Sequence, residues 1–320
     1  MTEKKIPVIL DVDTGVDDAL ALILALGSDR IDVKAVTTCF GNCSLEHATE
    51  NTLRLLEYIG RPDVPVAMGA EHSLLRGFTE QELPMHGRVD TIGNVVLPPC
   101  SRMKVSELTA VDLIARAVSE STDPVWLVPV APMTNIAAFL HCRPDLKEKI
   151  AGIAFMGGAA YTGNFSPASE ANIWNDVEAA AMVFRAGVPM LMCGLEVTFK
   201  SYCSPEDAEA MAGTGGPIGR FARDCQQPYL DYSLNTIGRP GCAMHDGVPI
   251  AWLIDPDKVT TRPAFGEVDV WGSATWGATN IDFDGRISGR DCNMLVATDI
   301  DRKWYISEYI RAIRAREAAL

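Results

Sequence analysis

The chain has 320 residues, 48% of them hydrophobic and 22% charged, with a formal net charge of −14. That is ordinary globular composition, and the charge argues against a nucleic acid or an anionic membrane surface as partner, because phosphates would be repelled. The nine cysteines are scattered, odd in number and free of any C-x-x-C pair, so buried free thiols are expected rather than disulfides or structural zinc.

From the N-terminus, Ile6–Leu10 is too short an apolar run for a signal-peptide core, and no later stretch could span a bilayer. A cytoplasmic protein is the expectation. Ile6–Asp11 reads as a buried strand and Asp17–Leu26 as a helix. Ile31–Thr38 then reads as a strand and Leu45–Ile59 as a helix with Ser44 at its N-cap. Residues 61–106 are rich in proline and glycine and read as long loops of the kind that carry function. Val125–Val130 is the next strand, followed by a helix from Thr134. Ile153–Met156 and Val188–Cys193 are further strands, with the Ala-rich Val177–Ala186 helix between them. This alternation predicts a single α/β domain over residues 1–320. Its Rossmann-like, mainly parallel central sheet is flanked by helices, with the active site at the strand C-terminal ends.

The strongest local signal follows the first strand: Asp11-Val12-Asp13-Thr14-Gly15-Val16-Asp17-Asp18. Asp11 and Asp13 share a face if the strand persists, and Asp17 and Asp18 fall in the first turn of the next helix. The helix terminus offsets only ~0.3–1 kcal/mol per charge. A hard divalent cation with oxygen ligands accounts for the crowding. A helix cap with solvated acids leaves it unexplained. Other polar residues recur at strand ends: Asn42, Thr134-Asn135, and Met156-Gly157-Gly158 leading to Asn164, Glu170 and Asn172.

With these segments in view, the sequence resembles the inosine–uridine-preferring nucleoside hydrolase family over nearly its whole length. Asp11–Asp18 is similar to the family's D-x-D-x-G-x-D-D signature. Val130-Ala131-Pro132-Met133-Thr134-Asn135-Ile136-Ala137 is similar to its G-P-L-T-N-I-A segment. Met156-Gly157-Gly158 with Asn164 and Glu170-Ala171-Asn172 resembles its ribose-binding stretch, and Met244-His245-Asp246 its H-D pair. The resemblance implies calcium-dependent hydrolysis of ribonucleosides to ribose and free base, in a homodimer or homotetramer. It implies Ca²⁺ ligation by Asp13, Asp18, Asp246 and the Val130 carbonyl, with Asp13 as general base. Asp17, Asn42 and Asn172 would hold the 2′ and 3′ hydroxyls, Asn164 and Glu170 the 5′ hydroxyl, and Met156 would pack near the anomeric centre. His86 is similar to a loop histidine facing the base.

Cleavage through an oxocarbenium-like state needs carboxylates around the ribose and a proton or hydrogen bond for the leaving base. His245, beside a ligand of the cation, is the expected source of that help, acting near neutral pKa. The chain departs from the family at Arg88-Val89-Asp90, after His86-Gly87, and at Ala171. Both lie where the base should sit, so purine or pyrimidine preference stays open, with Gln227, Tyr229 and Tyr232 as candidate base contacts. Two rival readings remain. In a haloacid-dehalogenase-like phosphatase Asp11 would be the nucleophile, which leaves Asp17-Asp18 unexplained. The other is a non-catalytic Ca²⁺- or nucleoside-binding protein.

Overall fold

The computed structural model describes residues 4–76 and 92–320. His86, expected to face the base, lies outside the described residues. In chain order the elements are β1 (Ile6–Val12), α1 (Val16–Gly27), β2 (Ile31–Thr38), α2 (Leu45–Tyr58), β3 (Val66–Met68), α3 (Ala110–Glu120), β4 (Val125–Pro129), α4 (Thr134–Cys142) and β5 (Ile150–Met156). They continue with α5 (Ala171–Asn175), α6 (Val177–Phe184), β6 (Met190–Cys193), α7 (Leu195–Thr198), β7 (Tyr202–Cys203), α8 (Pro205–Ala212), α9 (Pro217–Tyr232) and β8 (Cys242–Ala243). The last are α10 (Gly247–Ile254), β9 (Val259–Val268), β10 (Thr279–Phe283), β11 (Met294–Ile300) and α11 (Arg302–Glu317).

One nine-stranded sheet has the order β10-β9-β11-β6-β5-β4-β1-β2-β3, and β7 pairs separately with β8. From β11 to β3 every pairing is parallel, while β9 and β10 add an antiparallel edge. That edge was not read from the sequence: Pro263 interrupts β9, and its residues alternate between buried and exposed. The chain runs outward from β1 to β2 and β3, then returns to place β4 on the other side of β1. Such a reversal leaves a crevice beyond the strand C-termini, where ligands bind in open parallel sheets.

β1 is covered on both faces, so its apolar residues run almost without a break. Val8, Leu10 and Val12 face one helical layer and Ile9 the other. Helix α1 is buried along its length, from Val16 to Leu26, as expected of a helix apolar all round. Its other side lies against α11. The two helices approach so closely that a methyl group on Gly27 would overlap the Ala312 backbone. Gly27→Ala is therefore expected to destabilise the fold by about 1–3 kcal/mol through overpacking, more than the ~1 kcal/mol that alanine gains in helix propensity. A urea midpoint at or above wild type would show that the helices separate at no cost.

Candidate active site

The C-terminal ends of β1, β2, β4 and β5 converge with the β8–α10 junction. Asp13 leaves β1 and Asp17 and Asp18 open α1, while Asp246 caps α10. All four are buried. Carboxylate oxygens of Asp17, Asp18 and Asp246 lie within 4.8 Å of one another. Asp18 is held by the backbone: Asp13 N–H donates to its Oδ1 (3.1 Å) and Gly15 N–H to its Oδ2 (2.9 Å). Asn42, after β2, donates its N–H to Asp13 Oδ2 (2.6 Å). Its side-chain amide reaches both Asp13 Oδ1 (3.2 Å) and Asp18 Oδ2 (3.1 Å). The approach needs a glycine at position 41, since a methyl there would overlap the Asp13 carboxylate.

Behind these residues Asp11 sits fully buried, its Oδ1 accepting from Thr37 Oγ1 (2.5 Å) and Asn135 Nδ2 (2.8 Å). Its Oδ2 has no partner among the described residues. Asn135 also donates to the Thr38 carbonyl (3.0 Å) and accepts from Ala70 N–H (2.9 Å), tying β2, α4 and the loop after β3 together. On the far side, Asn172 Nδ2 donates to the carbonyls of Val130 (2.9 Å) and Met156 (3.2 Å) and lies 3.3 Å from Met156 Sδ. Glu170 caps α5, its carboxylate accepting the N–H groups of Gly158 (2.9 Å), Asn172 (2.9 Å) and Ile173 (3.2 Å). Asn164 Oδ1 accepts Ala171 N–H at 3.0 Å.

Burial raises the carboxyl pKa values throughout. Asp11, Asp17 and Glu170 are pushed to about 7, in each case first by loss of water, and Asp17 next by the charge of Asp18. Asp13 and Asp246 go well above the ordinary carboxylate range, from burial and then the neighbouring carboxylates. The charges acting on Asp13, Asp17 and Asp246 are carboxylates. Converging hard oxygen donors with the Val130 carbonyl nearby are the donor set of a hard divalent cation.

Next to the acids lies a cavity of about 510 Å³, lined by Asn164, Glu196, Tyr229, Tyr232, Arg239 and His245 among others. His245 Nδ1 is 2.7 Å from Thr198 Oγ1, and its ring packs edge-on against Phe199. The Arg239 guanidinium, which lines the same cavity, lies over the Phe199 ring, 3.6 Å from its centroid. Burial, and then the Arg239 charge, push His245 down to about 4. The ring is thus neutral at pH 7, not poised near neutrality as the sequence reading assumed. It can offer a hydrogen bond more readily than a free proton.

Asp13, Asp17, Asp18, Asn42, Val130, Met156, Glu170, Asn172 and Asp246 come together around the strand ends, and Asn164 and His245 border the adjoining cavity. Asp17, expected on the ribose side, belongs to the converging triplet, while Asp13 is joined to it through Asn42. Tyr229 and Tyr232 line the cavity, but Gln227 does not. It sits on the exposed side of α9, bonded to Asp231 at 2.8 Å, because at about 100° per residue it lies roughly opposite Tyr229, two positions on. Thr198, Arg239 and Glu196 were missed, being single residues outside any spaced motif. Among the described residues no helix is long and apolar enough to cross a membrane.

Sequence and fold comparisons with known proteins converge on one family. Residues 8–307 match the family described as inosine-uridine preferring nucleoside hydrolase. A pyrimidine-specific ribonucleoside hydrolase, RihA, from Citrobacter koseri is 38% identical over 94% of this chain and 96% of its own. Among solved structures, a purine-preferring ribonucleoside hydrolase from Gardnerella vaginalis superposes with a TM-score of 0.90 at 34% identity, covering 98% of this chain and 100% of that one. A plant nucleoside hydrolase gives a TM-score of 0.90 at 30% identity, with 97% and 99% covered.

The acid cluster has a consequence for stability. A carboxyl whose folded pKa is raised favours folding below its unfolded pKa, near 4, and loses that contribution as pH rises through the folded value. For Asp11, Asp17 and Glu170 the window is from near 4 to about 7. The chelated protein should therefore melt at a lower temperature at pH 7.5 than at pH 5.5. A bound cation stabilises by about 2.7 kcal/mol at a hundredfold excess over its Kd. The increase in Tm on adding Ca²⁺ should be larger at pH 7.5, where protons no longer compete. Scanning calorimetry showing no calcium effect, or a larger one at pH 5.5, would refute the cation site.

Proposed function

The chain belongs to the inosine-uridine preferring nucleoside hydrolase family and is a ribonucleoside hydrolase; from that premise we propose that it is a calcium-dependent enzyme acting on pyrimidine ribonucleosides. The observation that carries the calcium reading is the convergence of buried carboxylates at the strand C-termini beside the His245 cavity. Pyrimidine preference rests on the RihA relatives, named pyrimidine-specific, at 38% identity. The structure named purine-preferring stands at 34%, so the ranking of bases belongs to the experiment.

Asp13, Asp18, Asp246 and the Val130 carbonyl would hold the ion. When bound, calcium lowers the pKa of a ligated water and orients the ribose diol. The remaining chemistry belongs to the chain. Asp13, oriented by two Asn42 donors, takes the proton of the attacking water. Asp17, Asn42 and Asn172 would hold the 2′ and 3′ hydroxyls. Asn164 and Glu170 would reach the 5′ hydroxyl, and Met156 would pack against the sugar. As the N-glycosidic bond lengthens, positive charge grows on the ribose and the surrounding carboxylates stabilise it.

Negative charge grows at the same time on the departing base, in the cavity beyond. Thr198 satisfies Nδ1 of His245, leaving Nε2 for the base as a neutral hydrogen-bonding group. Arg239 adds a standing positive charge on the same wall. A cytoplasmic homodimer or homotetramer is the reading retained for location and assembly.

Ribose release should be assayed from uridine, cytidine, inosine and adenosine, before and after chelation. Release from uridine and cytidine should exceed that from the purines, vanish with EGTA and return with Ca²⁺. Inosine ahead of uridine would reassign the base preference, and release that survives chelation would remove calcium from the mechanism. Asp13→Asn should lower kcat by about 10²–10⁴-fold, the usual contribution of a general base. Turnover equal to wild type would remove Asp13 from that role.

A further inference from the structure

Helix α11 reaches the site from behind. Tyr305 and Tyr309, one turn apart, are both fully buried, with rings edge-to-face at 5.1 Å and 89°. The Tyr305 hydroxyl donates to the Met244 carbonyl at 2.7 Å, and the two tyrosine hydroxyls are 3.3 Å apart. Met244 immediately precedes His245-Asp246. It is gripped a second time by Ser201, which accepts its N–H (3.1 Å) and donates Oγ to its carbonyl (3.2 Å). Gly247 immediately follows Asp246, and a methyl group there would overlap both tyrosine hydroxyls. The His245-Asp246 pair is thus flanked on either side by contacts of two phenols that are not among the residues lining the cavity.

The same helix packs along α1, backbone to backbone at Gly27 and Ala312. Helix α1 carries Asp17 and Asp18 at its other end. One rigid element therefore supports the two halves of the acid cluster: α1 through its flank and Asp246 through the tyrosine hydroxyls. Outer groups that orient the ligands of a cation commonly change affinity or activity by about 10–100-fold when removed.

We propose that Tyr305 and Tyr309 are positioning residues, which set Asp246 against Asp17 and Asp18 and fix the His245 ring toward the departing base. The proposal rests on the reading of this site as a calcium-dependent nucleoside hydrolase. It concerns only how the chain holds its own groups. Deleting the Tyr305 hydroxyl leaves Met244 with Ser201 alone, so the segment is loosened and not unfolded.

Tyr305→Phe, Tyr309→Phe and a remote control, Tyr58→Phe, would be compared with wild type in the full chain. Tyr58 donates to the Pro217 carbonyl at 3.1 Å, far from the acids, so its loss tests a structural hydrogen bond alone. Calorimetric titration of the chelated proteins with Ca²⁺ should show affinity about tenfold weaker for Tyr305→Phe and unchanged for Tyr58→Phe. At saturating Ca²⁺ and uridine, Tyr305→Phe should lower kcat with KM nearly unchanged, because Asp17, Asn42 and Asn172 are intact. Circular dichroism should match wild type. Tyr305→Phe with wild-type Ca²⁺ affinity and kcat, even at a lower Tm, would overturn the proposal and leave the tyrosines as packing. If wild type itself binds no Ca²⁺, the functional reading fails, and the inference is judged by the His245 ring resonance, assigned by its loss in His245→Asn. A shift in Tyr305→Phe absent from Tyr58→Phe upholds positioning, and an unshifted ring overturns it.

Discussion

Mutual repulsion among Asp13, Asp17, Asp18 and Asp246, confined where water cannot screen it, is the constraint to which the rest of the molecule answers. Charges a few ångströms apart in a poorly polarisable interior repel strongly. Each local feature near them answers a part of that. The N-terminus of α1 presents its free N–H groups and partial positive charge. Gly41 and Gly15 keep the space that lets Asn42 reach two carboxylates at once. Even so, Asp11 keeps an oxygen without a partner among the described residues. The fold has built a place for positive charge and has not itself supplied it, which suits both a divalent ion and a ribosyl group becoming cationic.

The opposite wall of the site follows a different rule. There the chain places a histidine held uncharged, an arginine over an aromatic ring and two tyrosines, with the Glu196 carboxylate among them. Bond cleavage between sugar and base separates charge in one direction. In the proposed reaction the acids would meet the charge growing on the sugar, and Arg239 that growing on the base. Fixed dipoles and charges of this kind cost nothing to reorganise when the bond breaks.

Much of this was legible in the sequence because it is written in short spacings. The D-D pair places its carboxylates by helix geometry alone, and the parallel sheet follows from alternating buried runs, whereas β1 ends at Val12 and leaves Asp13 beyond the strand that would set it on one face with Asp11. Boundaries shifted by one to three residues where strands extend past their apolar centre, as β5 does in starting at Ile150. What stayed illegible depends on contacts between distant segments. Glu170 reads as a substrate ligand but also caps α5 with three backbone N–H groups. Thr198 pairs with His245 across 47 positions, and Tyr305 with Met244 across 61. Periodicity carries no trace of such partners. The β9–β10 edge was lost for another reason: a proline and half-exposed residues mask a strand that relies on its neighbour more than on its own pattern.

The contact of α11 with α1 and with Met244 also bears on how the molecule comes into being. The carboxylates of β1 and α1 leave the ribosome well before α11 does. Until it docks, one side of α1 lies bare and the segment carrying Asp246 lacks its brace. A growing chain therefore holds most of its acids with no finished place to bring them together. A product terminated before residue 302 would be an inert fragment with an exposed apolar helix, and not a weaker enzyme.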